Sequence, residues 1–197
     1  AGSFRLRGLL RGMYEPSAVF ASASTLLITV AQVSVSQFLP FYGEAKGVRD
    51  VSAFFVISAV GVLIPRFGGG VMKRRFSDRG LLIAGYLVLG GSYLLLYSTR
   101  PAGALMWATA LLYGLGHGTS SMVLNSMAII HAPPQKIGAA NATYWAAGDL
   151  GYSIAPIAWG AYCGARGYLD IYLLSAGIAA VSLVAYCFKS MQIAKSR

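Results

Sequence analysis

Apolar runs of membrane-crossing length alternate with short polar or basic turns along the chain. At about 20 apolar residues per crossing, this pattern predicts six helices, at roughly 17–42, 51–72, 81–98, 104–130, 138–162 and 169–188. The first run opens after Pro16 and breaks at Pro40, ahead of the polar stretch EAKGVRD. The second starts cleanly, but Pro65-Arg66 and Gly68-Gly69-Gly70 leave its later half neither a good helix nor a good lipid contact. The third is the most uniformly apolar, with Gly85, Gly90 and Gly91 allowing close approach of a neighbour. Thr99-Arg100-Pro101 turns the chain, and the prolines of His131-Ala-Pro-Pro-Gln-Lys136 fold the fourth run back onto the fifth. Residues 1–16 set Arg5, Arg7 and Arg11 around a few leucines, which suits a cytoplasmic interfacial segment. Residues 189–197 form a basic tail. The expected fold class is an all-α membrane protein with six transmembrane helices.

Composition agrees and excludes an ordinary soluble domain. The 197 residues are 56% hydrophobic and only 11% charged, with a mean hydropathy of +0.62, whereas soluble chains carry about 25% charged residues. Six crossings leave no room for a soluble domain. A net charge of +10 would point to nucleic acid in a soluble protein. Here the basic residues sit in short loops, where they set topology and touch anionic lipid heads, and no nucleic-acid partner is expected.

Arg5, Arg7, Arg11, Lys73, Arg74, Arg75, Arg79, Lys136, Lys189, Lys195 and Arg197 fall on one side of the membrane. Only Lys46, Arg49, Arg100 and Arg166 fall on the other. Both termini are therefore expected in the cytoplasm, as an even number of crossings requires. Cys163 and Cys187 lie at opposite ends of the last two helices, which disfavours an internal disulfide. The polar, basic start and the length of the first apolar run do not fit a signal peptide. The absence of an initiator Met suits a piece of a longer chain.

The fourth and fifth runs carry the candidate chemistry. His117, Asn125, Asn141 and Asp149 stand where hydrocarbon makes polar groups costly, so each needs a partner, a wet cavity or a job. Arg66 and Asp149 lie at overlapping depths, so an ion pair between them would neutralise both. The alternative has Arg66 reaching the headgroups and Asp149 protonated or wet. His117 could join Asp149 in a proton relay, or could be a histidine bonded to a nearby carbonyl or hydroxyl. Asn141, Trp145, Asp149, Tyr152 and Pro156 recur at three- and four-residue spacings and form one stripe, lining a cavity or a helix interface. Tyr113, His117, Ser121 and Asn125 form a comparable stripe on the fourth run. Gln32, Gln37 and Tyr42 are weaker cavity candidates.

Gly114-x-Gly116-x-Gly118 lacks the preceding strand and the spacing of a phosphate loop and reads as a close-packing motif. The sequence has no CxxC, HExxH or nucleophile-elbow pattern, so no cofactor, metal or enzymatic activity is expected. An intramembrane enzyme would require His117 and Asp149 within direct or one-water reach.

Four local patterns resemble the C-terminal half of a major facilitator superfamily transporter of the drug or sugar efflux type. Phe54-Phe55 followed by Ile64-Pro-Arg66 and Gly70 is similar to the family's eighth helix. Leu112-Tyr113-Gly114-Leu-Gly116-His-Gly118 is similar to its tenth. Gly138-Ala-Ala-Asn-Ala-Thr143, and then Asp149-Leu-Gly151 with Pro156 and Gly160, resemble the start and middle of its eleventh.

The resemblance spans about Leu9 to Phe188. It implies one half of a twelve-helix bundle with substrate bound between two six-helix halves. The partner would be the N-terminal half of the same transporter, or a second copy. The implied activity is proton-coupled efflux of a small organic solute across a cell membrane, such as a bacterial inner membrane. Asp149 would be the charge neutralised in the cycle. Gly70, Arg74, Arg75 and Asp78 would form the gating loop, which departs from the family pattern because Gly70 is followed by Val-Met-Lys-Arg-Arg and Asp78 comes late. The reading from another class is a non-transporting scaffold or sensor module built on the same bundle.

Overall fold

The computed structural model describes residues 15–48, 51–98, 104–130 and 132–195, with side chains to residue 192. The interfacial segment up to residue 14, the loop and turn residues Arg49, Arg100 and His131, and the last two tail residues lie outside the described residues. Seven α-helices follow in order: α1 Val19–Ser36, α2 Leu39–Ala45, α3 Ser52–Arg75, α4 Asp78–Ser98, α5 Ala104–Ile130, α6 Ile137–Arg166 and α7 Asp170–Lys195. Single 3-10 turns at Pro16–Ala18 and Pro134–Lys136 precede α1 and α6. Among the described residues there is no strand.

Four stretches are long and apolar enough to cross a membrane: Pro16–Ala45, Ser52–Arg75, Asp78–Ser98 and Asp170–Gln192. The other two of the six expected crossings are α5 and α6, the longest helices at 27 and 30 residues. Length suffices in both, but Gly, Ser, Thr, Asn and His dilute their apolar content.

One expected break falls differently, and one stretch expected to make a poor helix is regular. The first run breaks after Ser36, ahead of Pro40, and the proline sits in the first turn of α2, where its missing N–H costs nothing. In the second run, Pro65 and the three glycines do not end the helix, and α3 continues unbroken to Arg75. Packing holds it straight: Pro65 is buried, and a Cβ on Gly118 of α5 would lie 2.7 Å from its Cγ.

Helix α5 is the hub, packing most extensively on α3 and α4 and also touching α1 and α6. A ring of contacts closes from α5 through α4, α7, α1 and α6 back to α5, while α3 lies outside it, attached mainly to α5. The glycine triplet explains how one helix serves two neighbours. Gly114 and Gly118 face α3: a Cβ on Gly114 would strike the Ser58 carbonyl and the Gly61 Cα, and one on Gly118 would lie 2.9 Å from the Val62 backbone. Gly116 faces α4, where a Cβ would lie 2.5 Å from the Leu89 nitrogen. Lipid-embedded helices gain little from hydrophobic contact with one another, so such backbone approach, with its dispersion contacts, is what binds them.

Helix α6 lies on α1 by the same means. Gly148 and Gly151 seat against Thr25 and Thr29, and Trp159 Nε1 donates to the Val30 carbonyl at 2.8 Å. Ser175 of α7 donates to Ser34 Oγ of α1 at 2.9 Å. Several other buried hydroxyls are satisfied inside their own helix, Ser22 on Ala18, Ser92 on Leu89 and Thr109 on Leu105, so these need no ligand to explain them.

The two ends of the bundle are tied differently. At the end where α2 lies, aromatic rings do the work: Tyr42, expected to face a cavity, is buried edge-on against Tyr172 at 5.2 Å. At the other end a buried carboxylate does. Glu15 caps the first turn by accepting from the Ser17 N–H at 3.3 Å, and its second oxygen lies 3.3 Å from Lys136 Nζ beside the proline turn. Its own N–H donates to Thr143 of α6. Burial opposes its ionisation, but the Ser17 hydrogen bonds and the Lys136 ammonium outweigh that and hold the carboxyl below its ordinary value.

Two outcomes follow from this packing. Gly114→Ala should lower unfolding stability by about 1–3 kcal/mol through overpacking, whereas Gly160→Ala in α6, where a Cβ meets nothing within 4 Å, should raise it by up to about 1 kcal/mol. Thermal and denaturant unfolding in detergent would check both. Because the folded pKa of Glu15 is depressed, its carboxylate stabilises the fold at neutral pH, and that contribution is lost as pH falls through the folded value. The melting temperatures of wild type and Glu15→Gln should therefore differ at pH 7 and converge below about pH 4.

Candidate functional site

The α6 stripe is real, but it faces outward. The side of α6 that packs on α1 and α5 is Ala140, Tyr144, Gly148, Gly151, Ala155 and Trp159, all buried. Rotated away from it, Trp145 is 53% and Tyr152 41% exposed, and Asp149 is exposed between them. Asn141 and Pro156 are half-buried. The stripe is thus no interface within the bundle, and its indole, carboxylate and phenol are open to whatever lies beyond α6.

Arg66 is likewise exposed, on α3. It does not pair with Asp149: among the described residues the ion pairs are Lys73–Asp78 and Lys136–Glu15, and α3 and α6 do not pack on each other to any extent. The two charges were matched by depth along the membrane normal, and lateral separation of their helices defeats the match.

On α5 the polar stripe turns gradually out of the core. Tyr113 is buried against Phe54 and Tyr93 and stacks on His117 at 6.1 Å. His117 is half-buried, and its Nδ1 is buried with no hydrogen-bond partner. Neither a hydrogen bond nor an ion pair joins it to Asp149, and the carbonyl or hydroxyl partner that would make it a plain structural histidine is missing at Nδ1. Asn125 donates to Asn141 Oδ1 at 3.4 Å and so joins the two stripes. Gln32 of α1 is half-buried and Gln37 exposed.

Near the Lys73 end, a pocket of about 400 Å³ opens between α3 and α5, lined by Arg66, Gly69, Gly70 and Lys73 on one side and Met122, Asn125 and Ser126 on the other. Lys73 Nζ donates to Ser126 Oγ at 2.5 Å and pairs with Asp78 Oδ1 at 3.4 Å. Only Phe76 and Ser77 separate α3 from α4, so Asp78, in the first turn of α4, comes back over the end of α3. Arg74 and Arg75 are exposed and form no ion pair. Lys73 and Ser126 were not anticipated as site residues. Lys73 was counted as one more loop charge, although its seven-residue spacing from Arg66 sets both on one face of a continuous helix. Among the described residues no group of His, Cys, Asp or Glu is arranged to hold a metal, and Cys163 and Cys187 are free thiols.

A family model described as Major Facilitator Superfamily matches residues 3–156. No curated protein matches the chain.

With Cys163→Ser and Cys187→Ser as background, single cysteines at Trp145, Asp149 or Tyr152 should react with a charged maleimide roughly an order of magnitude faster than cysteines at Tyr144 or Trp159. Equal rates for the two sets, timed in membranes, would mean that the stripe meets lipid and not water.

Proposed function

The chain belongs to the major facilitator superfamily, and from that membership we propose that it is the C-terminal six-helix half of a secondary active exporter of a small organic solute, driven by proton antiport. Members of this family are membrane transporters and not enzymes. α5 and α6 complete the six crossings, and their polar content is what a helix lining a transport pathway carries. The proposed setting is a cell membrane, such as a bacterial inner membrane, with both chain termini in the cytoplasm.

The observation that carries this reading is the outward stripe Trp145, Asp149 and Tyr152. A carboxylate on a lipid face is costly at the bilayer centre, and the cost disappears where the face lines a water-filled pathway between two halves. Asp149 is then the group that gains and loses a proton as the pathway alternates. Asn141, bonded to Asn125, and Tyr113 beneath His117 position the wall behind it. Gln32 is the contribution of α1. Gly70, Arg74 and Arg75, expected in a loop, stand on the last turns of α3, and with Asp78 at the start of α4 they serve as the gate across the Phe76-Ser77 turn, with the Lys73–Asp78 pair as its internal latch.

The test is substrate-driven proton movement in proteoliposomes, comparing the chain alone, the chain joined to an N-terminal six-helix half, and that full form carrying Asp149→Asn. Only the full form should couple, with a loss of at least about 100-fold for Asp149→Asn, the scale of removing an essential acid–base group. Normal coupling in Asp149→Asn would make the carboxylate structural. A scaffold or sensor module would show no proton movement in any form.

A further inference from the structure

We propose that the pocket between α3 and α5 binds an oxyanion, the phosphate or carboxylate of an amphipathic molecule, through Arg66 and Lys73. Both cations line this one pocket of about 400 Å³, and no acidic residue lines it. They stand two helical turns apart on α3, about 10 Å of rise, and the residues that line the pocket between them are Gly69 and Gly70. Met122 covers Gly69, but a Cβ on Gly70 would meet nothing within 4 Å, so the floor is open there.

Arg66 has no ion-pair partner among the described residues. An unpaired guanidinium facing a membrane pocket is costly, and a bound anion offsets that cost through charge-assisted, bidentate hydrogen bonds. Opposite the cations, Ser126 accepts from Lys73 and keeps its own hydroxyl proton for a ligand. Asp78 already occupies part of the Lys73 charge at 3.4 Å, so an arriving anion competes with it. Apart from Asn125, whose amide bonds Asn141, the remaining side chains of the pocket are apolar, Met122, Ile129 and Ile130. That combination favours a molecule with one charged end and a hydrocarbon portion over a bare inorganic ion.

Two sources share this chemistry, the head group of an anionic lipid and an anionic organic solute. In the second case the proposal rests on the transport reading and names its substrate class.

Hexyl phosphate, titrated calorimetrically into the purified chain in an uncharged detergent, tests the site directly. Arg66→Gln should weaken binding by about tenfold or more, as losing a charged hydrogen-bond partner does, and Arg66→Lys should recover a large part. Lys73→Gln should weaken it less, because that charge is shared, and Asp78→Asn should tighten it. Arg166→Gln, with the same charge change on an exposed residue at the end of α6 outside the pocket, should leave it unchanged. The proposal is overturned if Arg66→Gln and Lys73→Gln, checked as folded by thermal unfolding, bind like wild type, or if Arg166→Gln loses as much as they do.

Repeating the wild-type titration in nanodiscs separates the sources. Binding that persists in phosphatidylcholine but is lost in phosphatidylglycerol identifies a head-group site, and binding retained in both identifies a site for a soluble anion. No transport enters this measurement. A failure of proton coupling would leave an Arg66-dependent site standing, and a failure here would leave the coupling result standing.

Discussion

The bundle depends on how closely the backbones of α3 and α5 can approach. The two helices run parallel and meet every fourth residue, with Gly61 on Gly114, Pro65 on Gly118, Gly69 on Met122 and Lys73 on Ser126. The first two contacts are backbone against backbone or ring, and they leave no room for a side chain. The last two contain side chains, so the seam widens toward Lys73 and a pocket opens where the helices diverge. Close packing at one end and a binding-sized space at the other are thus two parts of a single seam, set by where the glycines stop.

The same constraint sorts the polar residues. Several hydroxyls on the packed faces of the helices, Ser22, Ser92 and Thr109 among them, are absorbed by their own backbone carbonyls. Carboxylate, indole and phenol on α6 are turned away from those faces, because Gly148 and Gly151 must meet α1 on the opposite side. The orientation of Asp149 therefore follows from the placement of two small residues on the same helix. A few polar atoms, such as His117 Nδ1 and Ser120 Oγ on α5, are buried without a hydrogen-bond partner.

Much of this was legible in the sequence. Apolar run lengths placed helices where α4, α5 and α6 stand, whereas α7 runs on to Lys195 through most of the expected basic tail, and the three- and four-residue spacing identified the α6 stripe as one face. Residue patterns along the tenth- and eleventh-helix likenesses pointed to the family that the match over residues 3–156 establishes. Other features depend on neighbours and could not be read. Pro65 made the later half of its helix look poor because its local cost is visible in sequence, while Gly118 of α5, which accommodates it, lies about 50 residues away. The direction of the α6 stripe could not be read either, since periodicity shows that residues share a face without showing what the face meets. Arg66 and Asp149 were matched on depth alone, and depth says nothing of which helices are adjacent. Glu15, one carboxylate before a proline, carried no sequence signal of the burial and the Lys136 contact that make it matter.

The attachment of α3 along one seam has a consequence for biosynthesis. Gly61 is made about 50 residues before Gly114, and at roughly 5–20 residues per second α3 spends several seconds in the membrane before its partner exists. It passes that interval as a single apolar rod with Val56, Val60, Leu63, Ile64 and Phe67 already suited to lipid, since these stay exposed in the finished bundle. Only its glycine edge waits. The helix that stands outside the ring is one whose sequence tolerates that wait alone.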